Sequence, residues 1–213
     1  NITMKFTSDL PTLLANHSLR ELLRDRSLGK GTVTLILSHP TLVDFGLIKL
    51  TKQERELAPL SNCKSLLHVD LSTCTSLKRL GDSAFHGSTK LTKLTLPPSL
   101  ISLGRHCFAR CTSLESIKLP PSITAIGAGA FEKCTSLTHI EFPENVNRIH
   151  QRCLAECTQL TEVVLPKSRF VDDLSFEGCV RLTSVVLGGN TVSFGDRAFQ
   201  GCSNLIKRAN KLG

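Results

Sequence analysis

The sequence predicts an α/β repeat solenoid, and three observations carry the prediction. An aromatic column recurs as Phe85, Phe108, Phe131, Leu154, Phe176 and Phe199; subtracting neighbouring positions gives steps of 23, 23, 23, 22 and 23. A second column, Cys63, Ser88, Cys111, Cys134, Cys157, Cys179 and Cys202, keeps nearly the same step. Between the columns lies a run of alternating apolar residues closed by proline, as in Leu114-Glu115-Ser116-Ile117-Lys118-Leu119-Pro120-Pro121. A nearly constant step of this size means one structural unit stacked on the next.

Within a unit, Leu114 to Leu119 alternates with period two and reads as a short strand. Pro120-Pro121 stops it, because proline has no N–H to continue a ladder. Ile123-Thr124-Ala125-Ile126-Gly127 reads as a shorter extended piece with a glycine turn, and Ala130, Phe131 and Leu137 turn inward again. One unit cannot bury these positions alone. Stacking buries them, and the strands of successive units form a continuous parallel sheet.

The units Cys111–Lys133 and Cys134–Glu156 follow the phrase C-x-x-L-x-x-I-x-L-P-x-x-x-x-x-I-G-x-x-A-F most closely. In this the chain resembles leucine-rich repeats of the BspA-like type, over about residues 61–205. The resemblance implies an arc with a parallel sheet on its concave face and short strands and turns on its convex face. It also implies a role in recognition, often at cell surfaces, and not in catalysis.

Residues 1–31 read as a helical N-terminal cap, with residues 1–8 polar and expected to fray. Asp9 suits a helix N-cap and Pro11 its first turn. Leu10, Leu13, Leu14, Leu19, Leu22 and Leu23 supply an apolar stripe, and Gly29-Lys30-Gly31 ends the segment. A cap of this kind covers the open end of a solenoid. Leu10-Pro11 followed by leucines also resembles the start of an F-box, although the segment is too short for one. Gly29-Lys30-Gly31-Thr32 is no phosphate loop, since Arg24 stands where the first glycine is required.

The solenoid is expected over 32–213: irregular repeats at 32–80, regular ones at 81–205 and a basic end at 206–213. Val33–Leu37 is rich in β-branched and apolar residues and reads as a buried strand. Leu42-Val43-Asp44-Phe45-Gly46-Leu47-Ile48-Lys49-Leu50 resembles the cysteine-containing leucine-rich repeats of F-box subunits. Thr51–Leu57 reads as a charged, helical insertion. Leu66 to Leu77 fits the same second flavour of repeat, with the Cys74 thiol pointing inward at the bend after the strand. The unit from Cys63 to Ser88 is longer by two than the regular units after it. Near the far end, Arg169–Asp173 is one residue short, Gly188-Gly189-Asn190 replaces the proline turn, and the alternation is lost after Leu205.

The formal net charge is +8. A basic stretch holds Lys78, Arg79, Lys90, Lys93, Arg105, Arg110 and Lys118 against Asp82 and Glu115. An acidic partner or nucleic acid would suit it. No stacking aromatics accompany these charges, which argues against single-stranded nucleic acid. No apolar run approaches the ~20 residues needed to span a bilayer. The nine cysteines mostly follow the repeat. They read as buried free thiols behaving as small apolar residues, which favours a reducing, cytoplasmic compartment, with a cell surface as the other option. Asn1 and Asn16 begin Asn-x-Ser/Thr triplets, which matter only in a secreted chain.

Strand alternation assigns the outward face residue by residue. Its third column is His68, Lys93, Ser116, His139, Glu162 and Ser184; its fifth is Asp70, Thr95, Lys118, Glu141, Val164 and Val186. Lys118 is expected to face Glu141, and His139 to face Glu162. These columns form the candidate surface for an unidentified partner protein. Val164 and Val186 are its exposed apolar spot. No catalytic constellation, metal set or cofactor motif is recognisable, since an open sheet face encloses nothing. Non-enzymatic protein recognition is therefore the expected function. A ubiquitin-ligase substrate receptor, a surface adhesin and an electrostatic nucleic-acid binder are the alternatives.

Overall fold

Successive turns of the chain lie side by side, and every strand pairing between them is parallel. The computed structural model describes residues 60–167, 170–188 and 192–205, together with the backbone of Ile2–Phe6 (β1), Val33–Leu37 (β2) and Asp44–Phe45 (β3). The longer strands of each turn make one face. There, β1 and β2 are followed by Leu66–Asp70 (β4) and Lys93–Thr95 (β6) in the order β1-β2-β4-β6. Farther along the same face, His139–Glu141 (β9), Glu162–Leu165 (β11) and Ser184–Leu187 (β13) form a second sheet.

Two-residue strands make the other side. Asp44–Phe45, Arg79–Leu80 (β5), Ser102–Leu103 (β7) and Ala125–Ile126 (β8) form one ribbon. Arg148–Ile149 (β10), Phe170–Val171 (β12) and Ser193–Phe194 (β14) form the next. Asp44 pairs with Arg79 and Phe45 with Leu80. The irregular early phrase thus follows the same order, long strand then short strand, as the regular units.

The core between the two sides is one cluster built from the repeat columns. Phe85 stacks on Phe108 at 5.4 Å and Phe108 on Phe131 at 5.5 Å, within 13° of parallel. Leu154 interrupts the row, and Phe176 resumes it against Phe199 at 5.1 Å. Burying such a side chain contributes about 1.5–3 kcal/mol. Beside the rings, all nine cysteines are free and buried, as the sequence suggests, and Cys74 is among them.

Register locates the irregular unit lengths. The step from Asp70 to its partner Thr95 is longer by two than the step from Arg79 to its partner Ser102. The two extra residues of that unit therefore lie between Asp70 and Arg79, in the turn around Cys74. Likewise the step from His139 to Glu162 is longer by one than the step from Arg148 to Phe170. The missing residue falls between Glu162 and Phe170.

Several expectations are corrected. Residues 2–6 are not frayed: Ile2–Phe6 pairs along its whole length with Val33–Leu37. The expected helices at 9–31 and 51–57 lie outside the described residues. Among the described residues only 203–205 are helical, so the α component of the expected α/β class is missing there. The physical reason lies in the connections. They are chains of tight turns, such as Cys134 N–H to Phe131 O and Leu137 N–H to Cys134 O. Each chain carries residues with positive φ, including Arg110, Lys133 and Glu156 at 61°, 60° and 59°. An L-residue in the left-handed region ends a right-handed helix.

The strand expected at Leu114–Leu119 is also reduced. Only Ser116 pairs, in an isolated bridge to His139. No ladder joins this segment to Lys93–Thr95, and the long-strand face is split there into two sheets.

Candidate functional site

The outward columns stand where alternation puts them. His68 is paired with Lys93 and Asp70 with Thr95 on the first sheet. On the second, Glu162 lies between His139 and Ser184, and Val164 between Glu141 and Val186. Ser116 joins the third column through its bridge to His139. Inward neighbours such as Val69, Ile140 and Val163 are buried, while Lys93, Thr95, His139 and Glu141 are exposed. This is the pleat acting as expected: adjacent residues face opposite sides.

Of the two expected charge pairs, one forms. His139 Nδ1 lies 3.4 Å from Glu162 Oε2, with both side chains almost half exposed. Such a pair stabilises by less than ~1 kcal/mol. Lys118 makes no ion pair among the described residues, because the ladder that would hold it opposite Glu141 is interrupted.

Two open grooves flank the interruption. The first, about 510 Å³, lies between Lys93–Leu96 and Ser116–Pro121. The second, about 600 Å³, lies between Ile117–Leu119 and His139–Glu144 and reaches Pro166. Both are open to solvent, and neither gathers a nucleophile, a base and an enclosed pocket. Sequence reasoning placed Lys93 and Lys118 on the face but missed the prolines that wall the grooves. It treated Pro120 and Pro121 only as strand stops.

The late half of the face is apolar at its edge. Val186 and Leu187 are each 42% exposed, and Val164 is half-buried beside Val186. Leu187 occupies a position expected to face inward. It stands uncovered because no strand among the described residues pairs with the far side of β13.

The basic stretch is not a patch. Arg79 lies in the short-strand ribbon, Lys93 and Lys118 on the long-strand face, and Arg110 in the connecting turns. The densest charge network sits in those turns and is mixed. Arg152 bonds Glu132 at 3.0 Å and also reaches Glu156 and Glu177, while His106 approaches Glu132 at 3.3 Å.

The cysteines offer no reactive centre. The thiols of Cys111, Cys134, Cys157, Cys179 and Cys202 donate to carbonyls of the preceding turn, at 3.1–3.2 Å. Burial raises Cys153 and Cys179 to about 12 and Cys202 to about 11, so at neutral pH they stay protonated. No group of three or more metal-ligating side chains occurs among the described residues. Nor is any helix there long and apolar enough to cross a membrane.

Comparison with known proteins agrees with this architecture. The BspA type leucine rich repeat region matches residues 78–206 in six copies. A leucine-rich repeat protein of T. pallidum is 31% identical, with a TM-score of 0.72; the match covers 87% of this chain and 85% of that one. A leucine-rich repeat protein from Bacteroides ovatus is 27% identical, with a TM-score of 0.64. That match covers 81% of this chain but 45% of the other, so this chain spans less than half of its length. One from Eubacterium ventriosum, 16% identical with a TM-score of 0.54 over 79% of this chain and 65% of that chain, shares the fold. No curated protein sequence matches the chain.

Proposed function

The chain belongs to the BspA-type leucine-rich repeat family, and from that premise we propose that it binds a partner protein through the outward columns of its long-strand face, taken as the concave side of the arc. Leucine-rich repeat scaffolds generally serve protein interaction. The observation that carries the finer reading is the register along β9, β11 and β13. It sets His139, Glu162 and Ser184 in one row and Glu141, Val164 and Val186 in the next. Charged and polar groups beside an uncovered apolar edge are the make-up of a contact surface with a polar rim. The role is binding alone, since the face and its grooves are open and catalysis needs enclosure.

The test is an affinity pull-down with the immobilised chain, repeated with Val164→Asp and Val186→Asp. Loss of the captured partner, with thermal melting unchanged, is the expected result. A partner retained at full strength by both variants would sink the reading.

A further inference from the structure

We propose that the interruption of the long-strand face is itself a docking groove, and that its occupant is an extended acidic segment of a partner protein, held between Lys93 and Lys118. The inference rests on the reading of this face as a recognition surface, and it names the partner chemistry.

Three observations converge on the groove. First, the sheet stops. Lys93–Thr95 is laddered to Leu66–Asp70 on one side, while on its other side no strand pairing follows among the described residues. Second, the core is thinly covered here. Leu94, Ile117 and Leu119 are 7–8% exposed, whereas the other buried apolar side chains are at 3% or below. The apolar interior therefore comes closer to the surface here than in the turns on either side, where Val69, Leu71, Ile140 and Phe142 are at 1% or below. Third, the charges in the groove are of one sign. It is lined by Leu94, Leu96, Pro98 and Pro120, with Lys93 and Lys118 as its only ionisable side chains. Neither ammonium has an ion-pair or hydrogen-bond partner among the described residues.

An apolar floor between two unpaired cations specifies its ligand by complementarity. A carboxylate satisfies each lysine, and an apolar side chain covers the floor between them. In an extended chain, residues at alternate positions share one side. A segment reading acid, apolar, acid at alternate positions would meet all three features together. Asp70 and Glu141, one turn away on either side, set the ends of the basic zone and disfavour a long run of acids.

The experiment is panning of short displayed random peptides against the whole chain, with binders measured by fluorescence anisotropy. Expected are peptides combining acidic and apolar residues, whose affinity falls at least about tenfold for Lys93→Glu/Lys118→Glu. Lys93→Gln/Lys118→Gln should lie between the two, and Lys90→Glu, at an exposed lysine outside the groove, should leave binding unchanged. Both lysines are exposed, and an unaltered melting temperature checks that the fold is kept. Peptides without acidic residues, indifference to the lysine variants, or no enrichment at all would overturn the inference. Peptides lost only on Val164→Asp/Val186→Asp would also overturn it while leaving the broader recognition role standing.

Discussion

The thiol of Cys134 donates to the carbonyl oxygen of Phe108, one turn earlier, at 3.1 Å. The same bond recurs from Cys157 to Phe131 and from Cys202 to Phe176. The turns carrying Cys111, Cys134, Cys157, Cys179 and Cys202 are each tied by a buried sulfur to the one before, and at Ser88 a hydroxyl takes its place. The two repeat columns of the sequence are the two ends of one contact. A cysteine suits the position because it is small and apolar yet carries a donor.

Burial of these thiols makes stability fall at alkaline pH. An unfolded thiol ionises near pH 8.5, whereas Cys153 and Cys202 ionise at about 12 and about 11 because burial disfavours the thiolate. Folded chains keep protons that unfolded chains lose, so this contribution is intact below pH 8.5 and is lost as pH rises towards 11–12. Urea titrations from pH 8 upward should show the decline. Cysteine reagents should label no thiol quickly in the native chain, and all nine after denaturation.

Phe131 tests the aromatic row. Phe131→Ala removes a ring packed against Phe108 and should cost about 3–5 kcal/mol. Phe131→Leu should cost less than about 1.5 kcal/mol, because Leu154 already fills the equivalent place one turn on. Equal losses for the two variants in denaturant unfolding would contradict a row that tolerates either residue.

Gly127 tests how closely the turns approach. Its φ is not positive, so the glycine is not there for turn geometry. A Cβ at this position would sit 2.6 Å from the Arg105 nitrogen and 2.7 Å from the Gly104 carbonyl carbon. Both are backbone atoms and cannot swing aside. Gly127→Ala should destabilise by about 1–3 kcal/mol through overpacking, read as a lower melting temperature.

Arg152 tests the turn network. It sits among Glu132, Glu156 and Glu177, and its removal leaves three carboxylates facing one another. Arg152→Gln should cost about 1–2 kcal/mol, discounted for partial exposure. The loss should shift with added salt, which screens the remaining repulsion. By contrast His139→Ala, at an isolated half-exposed pair, should change stability by less than about 1 kcal/mol.

The repeat period, the inward columns of phenylalanine, leucine and cysteine, and the outward rows from His68 to Val186 were all legible in the amino-acid order. Periodicity is a one-dimensional property, and burying one side of an alternating strand leaves a single choice of face. Neighbours across turns were legible where the step stayed constant and the ladder ran unbroken, which is why His139 could be set opposite Glu162 while Lys118 does not pair with Glu141. What only the folded chain decided is the match between turns: the break beside Lys118, the approach of Gly127 to Gly104, the left-handed backbone at Arg110, Lys133 and Glu156, and the absence of helix between the strands among the described residues of the regular units. Those features depend on how closely segments one full turn apart can approach, which is set by how prolines, turns and rings pack against one another. The alternation of Leu114 to Leu119 is as regular as in any unit, and nothing within it marks the gap in the ladder.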